Sequence, residues 1–399
     1  MRYLALLALT IASVLLMLIT ISSVTLFLST TTPSRWLSCF QSNSSLYCYY
    51  HDYQYPRAIY QFVAMGSELS VGQVEQYDNG LNLVSFSFDS SGMYSLIPQL
   101  IYEDQTHQVE WPQQQVKPVL EQKEPLHIKV EEFSKKSNTC RCAFHFSSGK
   151  WIPVSKVEQG VVKYQNKFWR FLPDCEITSF ATFGSDIDLF LIGDSHLRVW
   201  YHYLNRNLTR FRGVAHFQMI HGLYSEDERP VDSFRTWKRD GTMMIQALKT
   251  VVPKLKQTLE NGRIPILVLN SGAWDLRDLT LEEYIKDFTQ VLGDINAIRS
   301  DLNVRVIWRN NVPIPHSESK YSTFDYRRNS KILKSNSNIR VFLSLKDIQE
   351  WDSWSILFPL WKQTCDGTHY LCYNETSFWG EPGKSDVELF TNYLLASSN

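Results

Sequence analysis

The chain lacks the patterns that usually reveal a bound cofactor, metal or nucleic acid. Its formal net charge is −1, so it has no surplus of positive charge with which to bind nucleic acid or another polyanion. It has no phosphate-binding loop, dinucleotide fingerprint, paired His/Cys metal spacing or heptad repeat. The sequence therefore predicts no cofactor, no metal and no nucleic-acid partner.

Charged residues are absent between Arg2 and Arg35. Residues 4–28 are almost wholly apolar, which matches the roughly 20 residues that cross a bilayer and exceeds the shorter apolar core of a signal peptide. We therefore expect a cytoplasmic stub and transmembrane signal-anchor over residues 1–28, with a cleaved signal peptide as the alternative. The Ser/Thr-rich and then aromatic residues 29–54 are expected to form a stem.

None of the seven cysteines has zinc-finger spacing, which favours disulfides and an oxidising compartment. Plausible pairs, with one thiol left over, are Cys39–Cys48, Cys365–Cys372, and Cys140 or Cys142 with Cys175. Three glycosylation sequons give mild support to a lumenal body; they begin at Asn43, Asn207 and Asn374.

Two structural regions follow the stem. Residues 55–135 contain short alternating apolar runs separated by a turn at Asp89–Gly92, which predicts a small β-sandwich. Across residues 136–399, after a cysteine-bearing lead-in, strand-like runs alternate with amphipathic segments. This alternation predicts an α/β domain with a parallel sheet covered on both faces.

Two details of the α/β region can be tested against the structure. Met243–Glu260 is amphipathic and is expected to be helical, but Pro253 should kink or split it. Ile339–Leu343 is apolar except for Arg340 and is expected to be the last strand of the sheet.

One stretch of the α/β region combines a buried-type strand with a reactive side chain. The apolar run Leu189–Ile192 is followed by Gly193, Asp194 and Ser195, and then by the helix-compatible residues His196–Asn205. Ser195 is thus expected at the start of a helix, where unpaired backbone N–H groups can hold a developing oxyanion. This position suits a nucleophile.

A serine hydroxyl needs a base to remove its proton. His369 is the candidate base, and Asp366, three residues earlier, is the candidate group that orients it. Asp104 and His107 have the same spacing but lie upstream in the β-rich region, so we treat them as a chance occurrence.

Three sequence blocks, in this order, resemble the SGNH (GDSL) hydrolase superfamily. More narrowly they resemble its PC-esterase branch, which includes neurexophilin and PC-esterase domain proteins and trichome-birefringence-like proteins. The resemblance covers roughly residues 140–395. The blocks are Gly193-Asp194-Ser195-x-x-Arg198, Asn270-Ser271-Gly272-Ala273-Trp274-Asp275 and Asp366-x-x-His369.

The resemblance implies a three-layer α/β/α domain preceded by an Ig- or filamin-like β-sandwich and a type II Golgi anchor. It also implies a role for Asn270 as an oxyanion donor, although the typical Gly-x-Asn-Asp form of its block is absent. A glycine N–H is a second donor in the superfamily. We assign it to Gly222, with Gly213 and Gly241 as alternatives.

Three side chains beside the nucleophile allow more than one interpretation. Arg198 either binds an acyl or sugar oxygen or forms a salt bridge within the domain. Asp194 is expected to be structural. His196 is an alternative base, but a residue adjacent to the nucleophile on a helix start usually points elsewhere.

The sequence thus predicts an SGNH-type serine esterase or O-acetyltransferase that forms an acyl-Ser195 intermediate. The resemblance suggests O-acetyl groups on glycans in the secretory pathway, with an acetyl ester or an acetyl-CoA-derived group as donor if the enzyme is a transferase. The alternatives are a catalytically silent surface or secreted binding module that uses the β-sandwich, and a lipid or small-ester hydrolase.

Overall fold

The computed structural model describes residues 25–32, 35–42, 44–53, 59–76, 81–102, 121–122, 125–132, 149–155, 161–164, 167–173, 186–206, 213–220, 242–314, 329–361 and 363–396. Contacts divide the chain into two compact units. The first contains residues 1–103 and 122–137, and the second contains residues 104–121 and 138–399.

Two antiparallel sheets form the first unit, in the strand orders β1-β2-β3-β7-β6 and β10-β8-β4-β5. A two-residue strand, β9, lies at the boundary between the units in the sequence. The strands are β1 (Thr25–Thr32), β2 (Arg35–Ser42), β3 (Ser45–Asp52), β4 (Ile59–Met65), β5 (Leu69–Val71), β6 (Gln73–Gln76), β7 (Asn82–Ser87), β8 (Gly92–Tyr102), β9 (Glu121–Gln122) and β10 (Leu126–Val130).

Strands β2 and β3 bury alternate residues, as strands do when one face of a sheet is covered. Cys39 and Cys48 lie directly opposite each other in this pair and form a disulfide, so this predicted pairing is confirmed. The buried ring of Tyr50 contacts Phe62 of the other sheet, with ring centroids 5.0 Å apart.

Strands β1 to β3 occupy most of the segment expected to form a stem, and they extend to Thr25. The Ser/Thr content suggested a stem, but the alternation that β2 and β3 carry is the stronger signal. Residues 1–24, which contain most of the predicted membrane anchor, lie outside the described residues. No helix in the described part of the chain is long and apolar enough to cross a membrane.

The second unit contains an antiparallel sheet, a parallel sheet and a short hairpin. The antiparallel strands are β11 (Gly149–Val154), β12 (Val161–Tyr164) and β13 (Lys167–Pro173). The parallel strands are β14 (Ile187–Gly193), β15 (Val214–Met219), β16 (Ile264–Leu269), β17 (Arg305–Arg309) and β18 (Gln349–Trp351), and the hairpin strands are β19 (Cys372–Tyr373) and β20 (Phe378–Trp379).

The described helices of this unit alternate with the parallel strands and then close the chain. They are α1 (Ser195–Arg206), α2 (Thr242–Glu260), α3 (Asp275–Asp278), α4 (Leu281–Leu302), α5 (Asn329–Leu345), α6 (Ser353–Leu357), a 3-10 turn at Phe358–Leu360, and α7 (Glu381–Ala396).

The parallel sheet has the strand order β15-β14-β16-β17-β18. Strand β14 is buried over its whole length and β16 over all but its first residue, as expected of a parallel sheet covered on both faces. The chain passes from β14 to β15 on one side and then to β16 on the other, so the strand order reverses between β14 and β16. Ligands of open parallel sheets bind at such a reversal, beyond the carboxyl ends of the strands.

The predicted strand at Ile339–Leu343 is wrong, because these residues lie within α5 and the last parallel strand is β18. Ile339 and Leu343 are buried while Val341 between them is exposed, which fits a helix with one buried face. The segment is apolar except for Arg340, and a short apolar run fits a buried strand as well as part of a helix. Pro253 also does not split α2, which continues through it.

A buried ion pair joins the parallel sheet to the C-terminal helix. Arg309, at the end of β17, donates from Nη2 to Asp386 Oδ2 of α7 at 3.1 Å. Trp351 Nε1 and the Ser353 hydroxyl also donate to Asp386, and the Arg309 guanidinium lies 4.6 Å from the ring centroid of Trp200 in α1. One carboxylate therefore links β17, β18, α6 and α7.

Replacing Asp386 should therefore destabilise the second unit strongly. Asp386→Ala leaves the buried Arg309 guanidinium without its carboxylate, which should lower the free energy of unfolding by about 3–5 kcal/mol. Urea denaturation followed by tryptophan fluorescence measures the change. Asp294→Ala, on the exposed face of α4, is the matched control and should alter stability by less than about 0.5 kcal/mol. Equal midpoints for the two variants would contradict the assignment.

Candidate active site

The turn after β14 places Ser195 at the start of α1. Asp194 caps this helix, since its Oδ1 accepts from the backbone N–H of His196 at 2.9 Å and its carbonyl from that of Arg198 at 3.1 Å. A Cβ on Gly193 would lie 2.8 Å from Leu197 Cδ1 and 3.0 Å from the carbonyl oxygen of Asn270, so a larger residue fits here only if its neighbours shift. Asp194 thus has the structural role that the sequence predicted. Ser195 lies at the carboxyl edge of the sheet.

A second turn, far along the chain, presents the acid and the base together. Asp366 Oδ1 accepts from the backbone N–H groups of Thr368 at 2.9 Å and His369 at 2.7 Å. Gly367 has φ +84°, a left-handed conformation that favours glycine. The disulfide Cys365–Cys372 encloses the turn, as the sequence predicts. Asp366 and His369 therefore lie in a short loop that is closed covalently.

The two turns meet in a chain of hydrogen bonds. His369 Nε2 lies 2.8 Å from Ser195 Oγ, and His369 Nδ1 lies 2.7 Å from Asp366 Oδ2. With its proton on Nδ1, the imidazole donates to the carboxylate and accepts from the serine hydroxyl, as a general base must. The structure thus brings together the three residues that the sequence singled out, two of which are 174 positions apart.

Asp366 is suited to remain charged beside His369. Burial raises the pKa of its carboxyl group, but hydrogen bonds from the His369 side chain and backbone and from the Thr368 backbone lower it, and the resulting pKa is about 2. This value lies below the roughly 3.9 of an unfolded aspartate. The ionised carboxylate therefore stabilises the fold above the unfolded value, and this contribution is lost as the pH falls from about 4 through 2.

Asn270 lies at the end of β16, beside the nucleophile turn. It is buried, its backbone N–H donates to Ile192, and its side-chain Nδ2 donates to the carbonyl of Arg309 at 3.1 Å. A Cβ on Gly193 would lie 3.1 Å from the Cβ of Asn270, so the two strand ends are in close contact. A primary amide has two N–H donors. Asn270 uses one of them in the bond to Arg309, so the second is available to a ligand.

The loop after Asn270 is held by residues that the sequence did not single out. Gly272 has φ +117°, and a Cβ there would lie 2.4 Å from Asn311 Nδ2 and 2.6 Å from Tyr284 Oη. Those two side chains both donate to the carbonyl oxygen of Ser271 at 2.9 Å. The polar residues that follow the apolar strand β17 were the available sequence signal for Asn311.

The other predicted site residues differ in position. Arg198 is half-buried, one helical turn after Ser195 in α1. Gly213 precedes β15 at the amino edge of the sheet, since its neighbour Val214 pairs with Asp188 near the start of β14. This position excludes Gly213 as an oxyanion donor.

Several predicted residues lie outside the described part of the chain. They are Gly222 and Gly241, the Asp104/His107 pair, the sequons Asn43 and Asn207, and the cysteines Cys140, Cys142 and Cys175. Asn374 is described and exposed.

His196 does not take the position of the base, because His369 is the histidine bonded to Ser195. Its ring instead packs against that of His369, with centroids 4.9 Å apart.

One group of potential metal ligands occurs in the described residues, at Cys365, Asp366 and Cys372. Its two sulfurs are joined in a disulfide and offer no thiolates, so the group does not suit a metal ion. The site instead combines a serine hydroxyl, an imidazole, a carboxylate and a helix N-terminus, which are groups that can together support acyl transfer.

Comparison with known proteins finds no matching family model and no matching curated protein. The chain is similar to solved structures of SGNH/GDSL-type hydrolases and other esterases, all at low identity. One is a GDSL-like lipase from Bacteroides thetaiotaomicron, with 14% identity over 55% of this chain and 93% of that chain and a TM-score of 0.34.

Two others are named as an acetyl xylan esterase and a carbohydrate esterase. An acetyl xylan esterase has 11% identity over 51% of this chain and 98% of that chain, with a TM-score of 0.32. A family two carbohydrate esterase from Clostridium thermocellum, in complex with cellohexaose, has 9% identity over 93% of this chain and 98% of that chain, with a TM-score of 0.29. These values do not assign the chain to a family, so the chemistry of the site follows from its own geometry.

Asp366→Asn should abolish most reactivity without disturbing the turn. The Asn side-chain oxygen can still accept the two backbone N–H groups, but its amide can stabilise the wrong tautomer of His369. By analogy with the same change in serine proteases, the rate of labelling by a fluorophosphonate probe should fall about 10⁴-fold. Glu375→Gln, an exposed change in the β19–β20 turn, should have no effect. Labelling of Asp366→Asn at the wild-type rate would contradict the role of Asp366.

Opening the disulfide loop should also slow labelling. In Cys365→Ser/Cys372→Ser the acid and base lose the covalent closure of their turn, and we expect a fall of about tenfold as the His369 side chain leaves its bonding geometry more often. The matched control is Cys39→Ser/Cys48→Ser, which removes the disulfide of the first unit and should leave the rate unchanged. Equal rates for both double variants would show that the turn does not need its disulfide.

Proposed function

We propose that the second unit carries out serine-dependent acyl-ester chemistry through an acyl-Ser195 intermediate. The observation that carries this proposal is the continuous hydrogen-bond chain Ser195–His369–Asp366 at a strand-order reversal. A lone Asp-x-x-His turn is common. Here the histidine is also bonded to a serine at a helix N-terminus, so a nucleophile, a base and a group that orients the base occur together, as the reaction requires.

Acylation begins when Ser195 Oγ attacks the acyl carbonyl carbon and its proton passes to His369 Nε2. The resulting imidazolium lies against the ionised Asp366, which stabilises the positive charge. The oxyanion can accept from the Ser195 backbone N–H and from the second N–H of Asn270. When the tetrahedral intermediate collapses, the ester C–O bond breaks and His369 returns the proton to the leaving oxygen.

Deacylation repeats these steps with a new acceptor. Water or a sugar hydroxyl attacks the acyl-Ser195 carbonyl and gives its proton to His369, and Ser195 leaves with that proton. Water yields hydrolysis, whereas a hydroxyl yields transfer to a new ester. Both outcomes use the same residues, and neither step needs a cofactor or a metal.

We further propose O-acetyl groups on glycans as the substrate, on the basis of the PC-esterase resemblance of the three sequence blocks. A secretory-pathway lumen, with a type II anchor before the first unit, fits the apolar N-terminal segment. The two disulfides in the described part of the chain and the exposed Asn374 sequon are consistent with that compartment. In this proposal the first unit is an Ig- or filamin-like β-sandwich that precedes the catalytic domain.

The proposal is tested by labelling the folded protein with a fluorophosphonate probe. Wild type should be labelled and should hydrolyse p-nitrophenyl acetate, whereas Ser195→Ala and His369→Ala should lose both activities because they remove the nucleophile or its base. Ser337→Ala, an exposed serine on α5, is the matched control and should behave as wild type. A folded wild type that takes no label would overturn the proposal and favour a binding module.

A further inference from the structure

The imidazole of His369 is bonded at both nitrogens, and one of its two partners is exposed to solvent. The Asp366 side chain is 47% exposed, against 20% for that of His369, so water competes for the carboxylate. A third contact comes from His196, whose ring lies at 4.9 Å between centroids and at 50° to the His369 ring. This contact is made by the face of the His369 ring, whereas the hydrogen bonds are made by its nitrogen atoms.

His196 is itself firmly held. It is 7% exposed, and its backbone N–H donates to the capping carboxylate of Asp194. Because Ser195 and His196 are consecutive residues in the first turn of α1, the nucleophile and the ring that packs on the base belong to one rigid segment. The distance between Ser195 and His369 is therefore restrained by a packing contact as well as by their hydrogen bond.

A small cavity of about 10 Å³ lies beside His196 and is lined by polar and apolar groups of α1, α6, α7, β17 and the segment after His369. Among its lining residues, Arg309 is 2% exposed and is paired with Asp386 through Nη2. The Nε and Nη1 groups of Arg309 have no hydrogen-bond partner in the described residues. The cavity therefore has a buried guanidinium on the side formed by Arg309.

The titratable groups around His196 either pack on its ring or line the cavity beside it. His369 packs on its ring, and Arg309, Asp386 and Tyr370 line the adjoining cavity. Asp386 is engaged by Arg309, Trp351 and Ser353, and Tyr370 donates its hydroxyl to the carbonyl groups of Pro313 and Trp361.

We propose that His196 is a positioning residue for the acyl transfer, an inference that rests on the proposed function. Its ring holds the His369 imidazole between Asp366 and Ser195. When His369 accepts the Ser195 proton and becomes an imidazolium, the packed ring of His196 keeps it in line with Asp366, so the base does not have to be repositioned during the reaction. His196 takes no proton in the reaction, so its ring is required and its nitrogen atoms are not.

Three substitutions of His196 separate these contributions. His196→Phe keeps an aromatic ring without a titratable nitrogen, His196→Leu fills the space without a ring face, and His196→Ala removes the contact. The matched control is His202→Ala, which changes another histidine of α1 that packs on Tyr373 instead of the triad. All variants are first compared with wild type by circular dichroism, and kcat, KM and the pH profile are then measured with p-nitrophenyl acetate.

We expect kcat to fall about tenfold or more in His196→Leu and His196→Ala with little change in KM, because misplacement of the base slows chemistry and not binding. His196→Phe should stay close to wild type, with the same number of titrations in its pH profile, and His202→Ala should be unaffected. If His196→Ala fails to fold, the comparison of Phe with Leu still decides.

Two results would overturn the proposal while leaving the proposed function intact. Wild-type kcat in His196→Leu would mean that the ring contact is not needed. A His196→Phe variant as slow as His196→Leu, with a titration missing from its pH profile, would mean that the nitrogen atoms take part. A wild-type protein that neither hydrolyses the ester nor takes a fluorophosphonate label would overturn both proposals together.

Discussion

The hydrogen bond between Ser195 and His369 is the contact on which the rest of the site depends. It joins a turn after the first parallel strand to a turn near the C-terminus, and each turn is fixed by its own local constraint. Asp194 caps the helix that carries Ser195, while a disulfide and a left-handed Gly367 hold the turn that carries Asp366 and His369. The sheet brings these two preorganised turns together, so little has to be ordered when a substrate binds.

The region around the site contains both an exposed charged group and a buried ion pair. Asp366 is half-exposed and charged, whereas the Arg309–Asp386 pair is buried under α1 and α7. Arg309 also accepts the amide of Asn270 through its carbonyl oxygen. Arg309 thus contacts the C-terminal helix and the proposed oxyanion donor, and it lines the cavity beside His196. The same residue therefore contributes both to the stability of the core and to the geometry of the site.

Sequence reasoning was most successful where the signal was local. The apolar run before Gly193-Asp194-Ser195 and the short Asp366–His369 spacing identified three residues that the structure brings within hydrogen-bond distance. The Cys365–Cys372 pair was one of the plausible pairings in the sequence, and the structure confirms it. Contacts that depend on long-range packing, such as Arg309 with Asp386 and Asn311 with the Ser271 carbonyl, have no local signature. The strand predicted at Ile339–Leu343 failed because a short apolar segment fits both periodicities.

The central claim is that Ser195 becomes covalently acylated by an ester substrate. Acid quenching of the protein during turnover of p-nitrophenyl acetate, followed by mass spectrometry of the tryptic peptide spanning residues 171–198, tests this directly. The account predicts an added acetyl group on Ser195 that disappears when the quench is delayed beyond substrate exhaustion. An acetyl group on another residue, or turnover with no modified peptide at any time in Asp366→Asn and wild type alike, would contradict it.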